Sequence, residues 1–137
     1  MLFALASGGS VFLLDRWSKQ AARLNVTGRF LSCGPFLRLR YVPHLRPFYK
    51  RANAGAALLL IWLASLGCAF VLRNSGSWFQ SQFAQIGLGL AFGGAAGNLL
   101  DVFRYHYIVN FVDLRWWPVF NLADLGIVAG LLLAFLA

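Results

Sequence analysis

The chain has 137 residues, of which 60% are hydrophobic and 12% are charged, and its mean hydropathy is +0.68. This composition excludes a soluble globular domain, in which roughly a quarter of the residues are charged, and it excludes a disordered chain. The net charge of +8 comes from twelve Lys and Arg residues that flank long apolar runs, a pattern that favours membrane lipids over nucleic acid as partners. The sequence therefore predicts a multi-pass membrane protein.

Four apolar segments are candidates for helices that cross a bilayer, which takes about 20 apolar residues. The first, residues 1–22, has no basic start and no small-residue cleavage site, so we interpret it as a retained span that continues through the pair Asp15 and Lys19. The others are residues 53–72, 79–101 and 121–137, and the third span is rich in Gly and Ala. We predict one membrane domain over residues 1–137.

Two polar connections carry strand-like patterns. Residues 38–42 alternate apolar and basic side chains, and we expect Pro43 and Pro47 to end that strand. Residues 108–112 are rich in β-branched side chains and predict a second strand beside the first. With four spans, both connections lie on the same membrane face. The predicted fold is an all-α membrane protein, a four-transmembrane-helix bundle with a small extramembrane sheet.

The four carboxylates of the chain all lie at or near predicted span ends. They are Asp15, Asp101, Asp113 and Asp124. Each Asp could simply cap a helix or pair with an Arg at the interface, but ionisable groups at membrane depth also mark functional sites. Asn98 lies three residues before Asp101, and Asn121 lies three residues before Asp124, so each pair shares a helix face. We therefore predict a polar pocket at the membrane surface, where two adjacent carboxylates would share a proton, as in aspartic proteases.

Other site chemistries fit the sequence poorly. His44 and His106 have no metal-ligand spacing with a Cys or a Glu, and no Ser-His-Asp or Cys-His set is present. The Gly cluster lies inside a span rather than in a loop that could hold phosphates. We therefore predict no metal and no cofactor.

Three segments carry a resemblance to a known family. Residues 14–19 read LDRWSK, residues 93–101 read GGAAGNLLD and residues 120–124 read FNLAD. In this order and at this spacing they resemble signal peptidase II, a family of four-span aspartic proteases that cut signal peptides from bacterial prolipoproteins. The resemblance implies a bacterial cytoplasmic (inner) membrane location, a β-cradle beside the helices, and prolipoprotein signal peptides as the partner.

The resemblance also implies site residues, with one important departure. Asp124 matches one catalytic Asp, but the sequence has Asn110 where the second catalytic Asp is expected. Asp113 could substitute for it, although strand positions three apart face opposite sides. Val102 stands where the family has an Arg, and residues 44–48 also differ. The polar residues that the family places around the substrate correspond to Asp15, Asn98, Asp101 and Asn121.

Two hypotheses about function follow from Asn110. An amide cannot accept a proton from water, and general acid–base catalysis depends on that transfer. The first hypothesis is a pseudoprotease, retained as a lipoprotein-binding module or as an accessory subunit that meets a membrane complex through the basic loop 23–51. The alternative is an active aspartic endopeptidase that cleaves prolipoprotein signal peptides with Asp124 and Asp113 as its acids.

Membrane orientation is predicted differently by charge and by resemblance. Nine of the twelve Lys and Arg residues fall between Arg16 and Arg51. The positive-inside rule places such a loop in the cytoplasm, whereas the family resemblance places it outside, over the substrate site.

Overall fold

The computed structural model describes residues 1–45, 51–76 and 78–137. It is mostly helical with a small sheet, as the sequence predicts, and the sheet has three strands. The helices are α1 (Leu2–Asn25), α2 (Ala54–Asn74), α3 (Gln82–Tyr105) and α4 (Leu122–Leu136). The strands are β1 (Phe30–Ser32), β2 (Arg38–His44) and β3 (Ile108–Asp113).

The helices match the predicted spans to within four residues at each end. Within the described ranges, α2 and α3 have the length and hydropathy that crossing a membrane requires. Helix α4 is apolar but has only 15 residues. Helix α1 has 24 residues and carries charges in its second half. The count of four spans therefore stays a prediction.

Helix α3 lies at the centre of the bundle and packs against both α1 and α4. Glycines bring the backbones of α3 and α4 into direct contact. A Cβ atom at Gly87 would lie 2.5 Å from the backbone N of Ala134, and one at Gly130 would lie 2.5 Å from the backbone N of Ala91. The small residues of the third span therefore allow close packing, as in other membrane helix pairs.

We expect Gly87→Ala to destabilise the bundle by about 1–3 kcal/mol, because α4 must move away to admit the new methyl group. The measurement is the melting temperature of the purified protein in detergent. The matched control is Gly67→Ala in α2, where an added Cβ meets nothing within 4 Å. Equal melting temperatures for the two variants would contradict this account of the α3–α4 contact.

The sheet has the order β1-β2-β3, with both pairs antiparallel. The predicted pairing of the two longer strands is confirmed, with Val42 opposite Asn110 and an irregularity in register between Leu39 and Val42. The short strand β1 was not predicted from the sequence. It has three residues, all exposed, and so shows no alternation between a buried and an exposed face.

The prediction that Pro43 ends its strand is wrong, because Pro43 lies within β2 opposite Val109. Strand β1 pairs only with residues 38–40. Among the described residues, one side of β2 therefore has no strand partner at Pro43, and a sheet tolerates proline where no ladder hydrogen bond is needed. Pro47 lies outside the described residues.

Helix α2 packs mainly against α3, and Ala54 is its only buried residue among those the structure describes. The Trp62 indole donates a hydrogen bond to the backbone oxygen of Phe92 (3.1 Å), and the two rings pack edge to face. An apolar groove runs along each side of α2. The α2–α4 groove, between α2, α3 and α4, has a volume of about 560 Å³. The α1–α2 groove, between α1, α2 and α3, has a volume of about 400 Å³.

Candidate active site at the sheet end of the bundle

Four charged side chains form a compact ion cluster between α1 and α3. Lys19 Nζ lies 2.7 Å from Asp15 Oδ2 and 2.8 Å from Asp101 Oδ2. Arg16 Nη2 lies 2.6 Å from Asp101 Oδ1 and 3.1 Å from Asp15 Oδ2. Both carboxylates are fully buried and the formal charges cancel, which is how buried charges are tolerated in proteins.

The same two carboxylates fix the ends of other elements. Asp15 Oδ1 accepts a hydrogen bond from the backbone N–H of Ala123 at the start of α4 (3.0 Å). Asp101 Oδ2 accepts one from the backbone N–H of Val109 in β3 (3.2 Å). The ion cluster therefore sets the positions of α4 and β3, the two elements that carry Asp124 and Asn110.

A second group of polar side chains, the amide network, lies beside the ion cluster. It consists of Asn98, Asn110, Asn121 and Asp124. Asn121 Nδ2 lies within hydrogen-bond distance of Asn98 Oδ1 (3.0 Å) and Asn110 Oδ1 (2.9 Å). Asn98 Nδ2 donates to Asp124 Oδ1 (2.8 Å). Asp124 and Asn110 occupy the positions expected for the two catalytic acids. Asn98, which contacts Asp124, and Asn121, which contacts Asn110, therefore connect these two positions.

Asp124 also stabilises the start of α4. Its Oδ2 accepts from the backbone N–H of Asn121 (3.1 Å), while Asn121 Oδ1 accepts from the backbone N–H of Asp124 (2.9 Å). This reciprocal pair is a capping box, which satisfies two free N–H groups of the first turn. Capping holds the Asp124 carboxylate at the helix end with its other oxygen directed to Asn98.

Lys19 connects the ion cluster to the amide network. Its ammonium donates to Asn98 Oδ1 (2.9 Å), so the Asn98 amide must present its NH₂ group to Asp124. The i, i+4 spacing predicts the contact of Lys19 with Asp15, but it does not reveal Asp101 and Asn98 as further partners. Arg16 was missed as a site residue for the same reason: its partner Asp101 lies 85 positions away.

Asp113 has different partners. Its Oδ2 lies 2.8 Å from Arg40 Nε, and its Oδ1 accepts from the backbone N–H of Arg115 (2.8 Å). Both oxygens are therefore engaged at the far end of β3 with partners outside the amide network. The role of Asp113 as a substitute acid stays a prediction.

The departures from the family pattern also have places in the structure. Val102 is buried in α3, and the guanidinium that contacts Asp101 comes from Arg16 instead. Arg104 lies over the ring of Tyr105. Within residues 44–48, His44 ends β2 and Leu45 follows it, while residues 46–48 lie outside the described residues.

The described side chains of the site do not form a cluster of metal ligands. Within residues 1–45, 51–76 and 78–137, no three His, Cys, Asp or Glu side chains come together in a metal-binding group. The oxygen donors of the site are instead bound to Lys, Arg and amide groups. The arrangement can bind and orient a polar group, such as a water or a peptide carbonyl.

The family model for signal peptidase (SPase) II matches residues 9–137 of the chain. The chain belongs to the signal peptidase II family. The lipoprotein signal peptidase of Rhodococcus jostii is 36% identical over 141 residues, which cover 97% of this chain and 69% of that relative. The lipoprotein signal peptidase of Oleidesulfovibrio alaskensis is 28% identical, over 93% of this chain and 88% of its own length.

Solved structures show the same fold. A bacterial membrane enzyme determined by the in meso method at 1.9 Å resolution superposes with a TM-score of 0.80 at 20% identity, over 97% of this chain and 90% of that one. A second such structure, at 2.3 Å resolution, gives a TM-score of 0.78 at 21% identity, over 97% and 85%. The signal peptidase II chain described here thus shares its helix and sheet arrangement with known membrane enzymes.

Proposed function

We propose that this signal peptidase II family member is a pseudoprotease of the bacterial cytoplasmic membrane. In this proposal the chain crosses the membrane four times and binds lipidated prolipoprotein signal peptides without cutting them. It would serve as a lipoprotein-binding module or as an accessory subunit of a membrane complex. Asn98 would face the bound peptide, and Asp15, Asp101 and Asn121, which are fully buried, would hold the site in shape behind it.

The observation that carries the proposal is the environment of Asp124. Its carboxylate is bound by the amide of Asn98 and the backbone of Asn121, and the side chain beyond them is the amide of Asn110. A dyad needs two groups that exchange one proton, and an amide cannot replace a carboxyl in that exchange. The site keeps its hydrogen-bonding shape without its second acid.

The α2–α4 groove supports the binding part of the proposal. Its lining is almost entirely apolar, and it extends along the bundle to Asn98. An apolar helix of a signal peptide could lie in this groove with its end at the amide network. Its binding free energy would then come mainly from close van der Waals packing, because apolar surface gains little when it moves from lipid to protein.

The alternative function, an active endopeptidase, depends on Asp113. It would require Asp113 to leave Arg40 and Arg115 and to approach Asp124. The intact residues that match the family pattern favour this alternative: Asn98, Asp101, Asn121 and Asp124.

The experiment is a combined binding and cleavage assay with the full chain in detergent micelles and a diacylglyceryl-modified prolipoprotein as the probe. We expect the probe to bind and to remain uncut, as measured by co-elution and mass spectrometry. Ala95→Phe should fill the α2–α4 groove and weaken binding by roughly tenfold or more. Ala96→Phe is the matched control, because residue 96 lines the α1–α2 groove instead.

Two results would overturn the proposal. Cleavage by the unmodified chain that is lost in Asp113→Asn would establish the endopeptidase alternative. Equal binding by the Ala95→Phe and Ala96→Phe variants would remove the α2–α4 groove as the peptide site.

A further inference from the structure

The end of the bundle that carries the sheet has an excess of unpaired positive charge. In the described part of the chain, the ion pairs involve three cations, Arg16, Lys19 and Arg40, and three of the four Asp residues. The fourth, Asp124, is bound by amide groups. The remaining described arginines at this end have no carboxylate partner in the structure: Arg23, Arg29, Arg38, Arg51, Arg104 and Arg115.

Two of these arginines lie against one aromatic ring. The guanidinium carbon of Arg23 lies 5.1 Å from the centre of the Tyr105 ring, and that of Arg104 lies 5.5 Å from it. Arg23 also donates to the Tyr105 hydroxyl (3.2 Å). Tyr105 in turn stacks on Tyr107. We call Arg23, Arg104 and Tyr105 the arginine–tyrosine cluster.

No acid in the described residues offsets the charge of this cluster. Burial, and a hydrogen bond with Tyr107, raise the pKa of the neighbouring Tyr41 hydroxyl, so Tyr41 stays neutral and supplies no negative charge. Both guanidinium groups lie near the same ring, so an anion bound beside that ring would be attracted by both positive charges. Phosphate oxygens suit guanidinium groups because they accept paired hydrogen bonds.

The surrounding surface fits a bilayer better than an acidic protein. Large aromatic side chains are exposed at this end of the bundle, among them Trp17, Phe36, Trp116 and Trp117. Trp residues interspersed with basic residues are typical of the level of the lipid headgroups. Arg38 adds a further unsatisfied group, since its Nε is shielded from solvent and has no acceptor in the described part of the structure.

We infer that the arginine–tyrosine cluster binds the phosphate of an anionic phospholipid, so that the sheet end of the molecule prefers a negatively charged bilayer surface. This inference rests on the membrane placement proposed above but not on peptide binding. It also explains how the basic loop 23–51 could lie outside the cytoplasm, as the family resemblance implies. Anionic headgroups would neutralise the positive charge of the loop there, whereas the positive-inside rule alone would place that charge in the cytoplasm.

The test compares retention of phosphatidylglycerol and phosphatidylcholine, with identical acyl chains, by the full chain in neutral detergent, measured by native mass spectrometry. We expect a preference for phosphatidylglycerol that falls as salt is added. Removal of one charge in Arg104→Gln should reduce the preference by roughly fivefold. Arg73→Gln is the matched control. It also removes an arginine from the last turn of an apolar helix, but at the opposite end of the bundle.

Inorganic phosphate and polyglutamate, added in excess, separate the sources of the anion. At constant ionic strength, the inference predicts that neither displaces phosphatidylglycerol, because neither brings an acyl chain to the aromatic surface. It is overturned if phosphatidylglycerol shows no preference, if Arg104→Gln and Arg73→Gln reduce the preference equally, or if either competitor displaces the lipid at constant ionic strength. If Arg104→Gln does not fold, a salt-independent preference in the unmodified chain overturns it as well. None of these experiments measures peptide binding. A negative result would therefore overturn the lipid inference without bearing on the proposed function.

Discussion

Asn110→Asp is expected to give measurable prolipoprotein cleavage, roughly 10²–10⁴-fold above the unmodified chain. The new carboxylate would stand where Asn110 now accepts from Asn121, close to the network that holds Asp124. Two nearby carboxylates cannot both ionise easily, so one would keep a proton while the other activates water. Recovery should stay partial, because Val102 and residues 44–48 differ from the family pattern. Product formation from a diacylglyceryl-modified substrate is the measurement.

Two further variants control for this gain. Asn110→Leu has a similar volume but no titratable group, and it should remain inactive. The double variant Asn110→Asp with Asp124→Asn should lose the gained activity. If the double variant cleaves as fast as Asn110→Asp alone, the activity does not come from a dyad at these two positions.

Lys19→Met is expected to destabilise the protein by about 3–5 kcal/mol, the usual cost of removing one partner from a buried ion pair. The Lys19 side chain is 4% exposed, and its ammonium contacts Asp15, Asp101 and Asn98. Without Lys19, the two fully buried carboxylates of Asp15 and Asp101 would have only one cation, Arg16, as an ion-pair partner among the described residues. Thermal unfolding in detergent is the measurement.

Two controls separate burial from simple charge removal. Arg29→Met removes an exposed cation and should change stability by less than about 1 kcal/mol. Adding Asp15→Asn to Lys19→Met should recover part of the loss, because it also removes the carboxylate that lost its partner. If Lys19→Met and Arg29→Met unfold at the same temperature, the ion cluster does not hold α1 against α3.

Much of the fold was predictable because membrane solvation imposes strong local patterns. Residues 53–72 form a mostly apolar run without a charged residue, and α2 occupies almost the same residues. The alternation at residues 38–42 predicted β2, whereas the three exposed residues of β1 carry no such pattern. Pro43 was misinterpreted because the effect of a proline depends on whether a partner strand lies beside it, which the sequence does not state.

Most members of the candidate site were predictable from the sequence, but Arg16 and the contacts between the members were not. Spacing alone placed Asn98 with Asp101 and Asn121 with Asp124. It did not show that Lys19 orients Asn98, or that Asp15 reaches the start of α4 at Ala123, 108 positions away. Contacts of this kind depend on how helices pack, and helix packing is decided by distant small residues such as Gly87.

Helix α2 is attached to the bundle by fewer contacts than the other helices, so we expect it to move more readily than they do. Helix α3 meets both α1 and α4 backbone to backbone, whereas α2 packs mainly against α3 through side chains such as the Trp62–Phe92 pair. Local openings in proteins begin where few contacts must break. We therefore expect α2 to move outward and the amide network, which contains no α2 residue, to stay assembled. The lipidated peptide of the proposed function could then enter sideways from the bilayer by movement of α2 alone. The residues of the amide network would keep their positions.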